Sequence, residues 1–90
     1  MKAKKKPIEV DVWQLDLRDE EPPEWVRNAF ENGLLMVPGI KQAGQPFWQI
    51  RAIEGIMHAY NGDYLIKGIT NELYAVAHDI FEETYEITKD

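Results

Sequence analysis

The first hydrophobic pattern along the chain is a short alternation, Ile8-Glu9-Val10-Asp11-Val12, with apolar and acidic residues at successive positions. That period puts the two kinds of side chain on opposite faces of a strand. Pro7 stands just ahead of it, where a strand loses no ladder donor. Trp13 shares the parity of Glu9 and Asp11, which places it at the edge of the solvent face. The period then changes. Trp25, Val26, Ala29 and Phe30 recur at i, i+1, i+4 and i+5, the apolar stripe of a helix over about 23–32. Pro22-Pro23 and Glu24 suit its first turn. Asn32-Gly33 closes it, with Gly33 placed for a left-handed cap.

After the helix, turn residues punctuate the chain at roughly hairpin spacing. Strands are expected at 34–37, 47–53, 56–60, 64–68 and 73–77, with residues 40–46 as a loop after Pro38-Gly39. Glu54-Gly55, Asn61-Gly62-Asp63 and Thr70-Asn71 supply the turns. Asp79 and Glu82 stand at capping-box spacing and predict one short C-terminal helical turn. Residues 84–88 then read as a last strand. The expected fold class is α+β: a small antiparallel β-sheet or half-open barrel of about five to six strands, with one α-helix.

The 90 residues read as a single domain. With no cysteine there is neither a disulfide staple nor a Cys-based zinc site, so the core must come from the 44% hydrophobic residues. The charge is −6, but it is unevenly placed. Lys2, Lys4, Lys5 and Lys6 make residues 1–6 a basic arm, and residues 7–90 carry six cations against 16 anions. A body that acidic is not built for direct binding of nucleic-acid phosphates. The basic start is followed by Pro7-Ile8-Glu9 rather than an apolar signal core, and no apolar run is long enough for a membrane span. A cytoplasmic location is expected.

Catalytic signals are sparse. The chain has no serine, no cysteine and no glycine-rich phosphate loop, so no enzyme, cofactor or metal role is expected. His58 lies within a strand and His78 beside Asp79, without a second ligand at metal spacing. Asp16, Asp19, Glu20, Glu21 and Glu24 form the densest acidic block, a loop over 16–24. It is either a solvated segment or a patch that meets a basic surface on a partner. Glu82, Glu83, Glu86 and Asp90 form a weaker cluster open to the same two readings.

The aromatic residues are too many for so small a core. Trp13, Trp48 and Tyr64, with Arg51 and Lys67 on neighbouring strands, are the candidates for a subunit contact or a nucleotide-like ligand. For Trp13 the plainer alternative is that it covers the end of the sheet.

Several stretches together carry a resemblance. They are Lys5-Lys6-Pro7-Ile8-Glu9-Val10, Gly62-Asp63-Tyr64-Leu65-Ile66-Lys67-Gly68, Glu72-Leu73-Tyr74 and Asp79-Ile80-Phe81-Glu82-Glu83-Thr84-Tyr85-Glu86. The chain resembles small phage and prophage proteins that begin with a KKP-strand and end in a GDYIIKG…GE-Y…PDIFE-TYE pattern. Ala77-His78 departs from that pattern, which has Lys-Pro there, and Asn71 stands where it has Gly. The resemblance implies phage origin and a role in the host cytoplasm, and it brings no catalytic residues. The expected function is a non-enzymatic accessory protein, a homo-oligomer, that neutralises a host defence component through its acidic surface. An oligomeric sponge for a nucleotide signal and a virion or morphogenesis accessory are the alternatives.

Overall fold

The structure, a computed structural model, describes residues 1–4, 6–37 and 47–88. The elements run β1 (Asp11–Gln14), α1 (Glu24–Glu31), β2 (Leu35–Met36), β3 (Phe47–Ala52), β4 (Gly55–Tyr60), β5 (Tyr64–Lys67), β6 (Leu73–Val76) and α2 (His78–Thr84). Among the described residues the strands form two antiparallel three-stranded sheets, ordered β1-β5-β6 and β2-β3-β4. The architecture is α+β and no closed barrel forms. The loop expected over residues 40–46 lies outside the described residues.

Helix α1 follows its sequence cues closely. The Pro23 carbonyl takes the first helical bonds, from the amides of Val26 and Arg27. At the other end Gly33 adopts φ +74, its amide reaches the Phe30 carbonyl, and the Leu34 amide reaches Ala29. Those two bonds make a Schellman cap, which only a left-handed residue at Gly33 permits without cost. Val26 and Ala29 are buried, and Trp25 and Leu34 pack against the same core.

The first strand is displaced from its expected place. Pairing begins at Asp11, opposite Lys67, and runs to Gln14, while Ile8 is exposed. Trp13 is buried, 8% exposed, and not at a solvent edge. The reason lies in what covers the sheet. Trp13, Leu65 and Leu73 join the main core with Trp48 and Ile50 of the other sheet. The opposite face, with Val12, Ile66, Tyr64 and Tyr74 in register, carries the C-terminal helix. There Phe81 stacks on Tyr64 at 3.8 Å and Tyr85 on Phe81 at 4.7 Å. The acids that share Trp13's parity lie at or before the start of the ladder, where exposed Asp11 meets Lys67 rather than the core, so alternation read from them misassigns the face Trp13 takes.

The C-terminal region also departs from expectation. Residues 78–84 are helical, and no strand forms over 84–88. Phe81 and Tyr85 stand four apart, a helical spacing that turns both rings toward the sheet. The helix is not capped by Asp79: its N-cap is Ala77, which has no capping side chain. Instead the carboxylate of Asp63, in the β4–β5 turn, accepts the His78 amide at 3.0 Å. Its other oxygen accepts the Tyr60 amide, also at 3.0 Å. One side chain thus closes a hairpin and caps a helix fifteen residues later. Other boundaries shift by a residue: the β3–β4 turn is Ile53-Glu54, with Gly55 at φ +128 already in the strand.

Replacing Asp63 with Ala leaves both amides without that acceptor, at a cost of about 1–2 kcal/mol. Thermal unfolding of Asp63→Ala is expected to begin several degrees earlier than wild type, with Asp63→Asn intermediate. Equal melting of all three would remove Asp63 from its double role.

Candidate functional site

The acidic loop starts where β1 ends. Leu15 continues the ladder into the β4–β5 turn, donating to the Asp63 carbonyl at 2.8 Å and accepting from the Gly62 amide at 2.9 Å. Past this point the chain carries acids and turns, and those turns are closed by its own carboxylates. Asp16 accepts the Arg18 amide at 2.9 Å, and Asp19 accepts the Glu21 amide at 3.0 Å. The other oxygen of Asp19 accepts the indole N–H of Trp13 at 2.9 Å. Side-chain bonds two residues ahead are the usual means by which Asp holds a turn. The bond to Trp13 ties that turn to the core. Asp16, Glu20 and Glu21 are left exposed on a loop whose base is fixed, with Glu24 exposed beside them on the first turn of α1. A shallow concavity of about 530 Å³ opens beside it, lined by Trp13, Gln14, Asp16, Asp19 and the Asn61-Gly62 turn.

All five expected acids are exposed, and Asp19 is in addition a structural acceptor. The second expected group does not assemble. Trp13 and Trp48 are buried, meeting edge to face at 5.5 Å, and Tyr64 lies beneath Phe81. Arg51 is exposed on the solvent face of the β2-β3-β4 sheet, opposite Ile56. Lys67 is elsewhere, 5.9 Å from the centre of the Trp25 ring and 3.4 Å from the Asp11 carboxylate. Aromatic side chains expected at a ligand surface are spent instead on joining the sheets, because a core this small needs its largest rings inside.

Lys67 does face a concavity, of about 210 Å³, between α1 and the β5–β6 turn. Trp25, Leu34 and Leu73 line it along with Asn28, Asn32 and Asn71. The asparagine set escapes sequence reading because Asn71 is distant in the chain. The i, i+4 spacing of Asn28 and Asn32 is the one signal that places two of them together.

Among the described residues no three His, Cys, Asp or Glu side chains gather in a metal-binding group. His78 lies 3.2 Å from Glu82 and over the Tyr64 ring, and the His58 ring is 4.8 Å from Phe47. No described helix is long and apolar enough to cross a membrane. No family model matches the chain, and no curated protein or solved structure matches it either.

One titration stands out. Burial, and then the neighbouring Tyr85 hydroxyl and Glu72, push the Tyr74 phenol up from 10.0 to about 12. The folded state holds that proton more tightly, so the contribution is present below pH 10 and is lost as pH rises toward 12. An ultraviolet titration of tyrosinate is expected to show one of the four tyrosines ionising late, alongside falling stability in that window. Tyr74→Phe is expected to remove the late step; its persistence in that variant would assign it to another tyrosine.

Proposed function

We propose that this chain is a non-enzymatic accessory binding protein of phage type that acts in the host cytoplasm, docking its acidic loop on a basic surface of a host protein. The observation that carries this reading is the ordering of the loop. Asp16 and Asp19 each close a turn by bonding a backbone amide, and Asp19 is bonded to the buried Trp13. A surface already ordered loses less conformational freedom on binding than a mobile acidic tail does. Its carboxylates therefore suit recognition of lysine and arginine side chains, in the manner that electrostatic complementarity selects partners. Neutralisation of a defence component follows if the covered basic surface is the one that component uses on nucleic acid.

The test separates charge from fold. The side chains of Glu20, Glu21 and Glu24 are exposed, and the turn bond at Glu21 is made by its backbone amide, which a change to Gln keeps. Changing all three to Gln is expected to leave thermal stability close to wild type while abolishing capture of basic host proteins from lysate. Capture by wild type is expected to weaken steeply with added salt. Equal capture by the two proteins, insensitive to salt, would overturn the proposal.

A second reading, capture of a small nucleotide-like anion, is favoured by the concavity that Lys67 and Trp25 line together with three asparagines. A ligand bound there raises the melting temperature by mass action. A screen of cyclic and linear nucleotides is expected to give a rise that Lys67→Ala removes. A flat screen would end this reading without touching the first.

A further inference from the structure

Among the described residues strand β4 is an edge strand, and its outward hydrogen-bonding groups form a short, self-complementary set. In the β3–β4 ladder, antiparallel pairs alternate between those that exchange backbone bonds and those whose groups point away. Arg51 donates its amide to Leu34 across β2, so the Arg51–Ile56 pair is one that points away. Two residues on, the Gln49–His58 pair points away too, and so does Phe47–Tyr60. Tyr60 is closed off, its amide bonded to the Asp63 carboxylate and its carbonyl to the Asp63 amide. At the other end Gly55 faces Ala52 beside the hairpin turn. Among the described residues no backbone group reaches the outward N–H and C=O of Ile56 and His58. The open window is thus two residues wide, bounded by a turn and by Asp63.

We propose that this window pairs with the same window of a second copy of the chain, antiparallel about a two-fold axis at Met57. In that register Ile56 faces His58 of the second copy and His58 faces its Ile56. Both are pairs that exchange bonds, so all four open groups of each chain are satisfied. Moving the register by two residues either engages Tyr60, which Asp63 already holds, or sets His58 against the Glu54 turn. Charge agrees with this occupant. The segment Gly55–Tyr60 carries no Lys, Arg, Asp or Glu, although the chain as a whole is at −6. Two acidic bodies meet there without like charges facing each other. The strand also lacks the lysine, proline or bulge by which edges are ordinarily kept apart. Ile56 is 62% exposed and Tyr60 47%, apolar surface that the added strand covers in part. A contact of this size lies at the small end of specific interfaces, so the dimer is reversible. This pairing is independent of the acidic-loop reading.

Sedimentation of the full chain from about 1 µM to about 1 mM is expected to show monomers giving way to dimers over this span of affinities. Ile56→Lys places a charge at the window, and His58→Pro removes an outward amide without breaking a β3–β4 bond. Each is expected to weaken dimerisation by roughly tenfold or more. The register has its own test. The two-fold pair at Met57 brings Cα atoms to about 4.5 Å, within disulfide range. The chain has no cysteine, so Met57→Cys can crosslink only between copies. Mild oxidation is expected to give a covalent dimer from Met57→Cys and little from Ile53→Cys at the hairpin tip. Wild type remaining monomeric at the highest concentration would overturn the proposal. A dimer that ignores both edge variants, or forms no crosslink from Met57→Cys, would overturn it equally.

Discussion

Two indole rings, Trp13 from one sheet and Trp48 from the other, meet edge to face at 5.5 Å where the two halves of the molecule join. The rest of the structure hangs on that contact because each ring is apolar over its area and polar at one point. Buried, each must find an acceptor for its N–H. Trp13 finds Asp19 and Trp48 finds Asn61, at 2.9 and 3.1 Å. Each core ring therefore fixes a surface loop as the condition of its own burial. The acidic loop hangs from one indole and the β4–β5 turn from the other, and the helix ring of Phe30 lies 5.9 Å from Trp48. The order of the candidate site follows from the core.

How much of this the sequence discloses depends on how local each cause is. Helix α1 is legible because stripe, opening prolines and terminal glycine all lie within a dozen or so residues and agree. The β3–β4 and β4–β5 hairpins are legible for the same reason: Glu54-Gly55 marks the first turn to within one residue of its place at Ile53-Glu54, and Asn61-Gly62-Asp63 marks the second. Trp13 is misplaced by its parity because that parity is read from Glu9 and Asp11, exposed acids at or before the start of the ladder, whereas one step further along, the same face meets the core. Asp79 and Glu82 look like a cap, yet the acceptor for the His78 amide is Asp63. Nothing within a few residues of His78 announces that. The acidic loop could be found from its composition alone, but its anchoring could not, because an indole donor six residues away has no sequence signature.

Asp63 and Asp19 show one economy in two places. Both are turn residues, and both use one carboxylate oxygen for the turn and the other for a distant donor. A small domain without disulfides buries too little surface to hold its loops by packing alone. Bidentate acids at turns tie elements together without occupying core volume. That explains how an acidic chain keeps a definite shape: part of its negative charge is engaged in backbone bonds at turns rather than left as self-repulsion.

The same two residues also set what the surface can do. Asp19 holds the exposed acids in one arrangement, and Asp63, by claiming both backbone groups of Tyr60, limits the open edge of β4 to Ile56 and His58. An edge left open along its whole length would accept many registers and many partners, which is the route to aggregation. An edge trimmed to one self-complementary window accepts one. Joining two copies there would present two acidic loops in a fixed relation. A partner with basic surface on both sides would then bind by the second contact at an effective concentration set by geometry, and weak loop contacts would add into a firm hold. The proposed dimer edge is free of charged residues and the proposed docking loop holds the densest acids, so the two draw on complementary parts of one charge distribution.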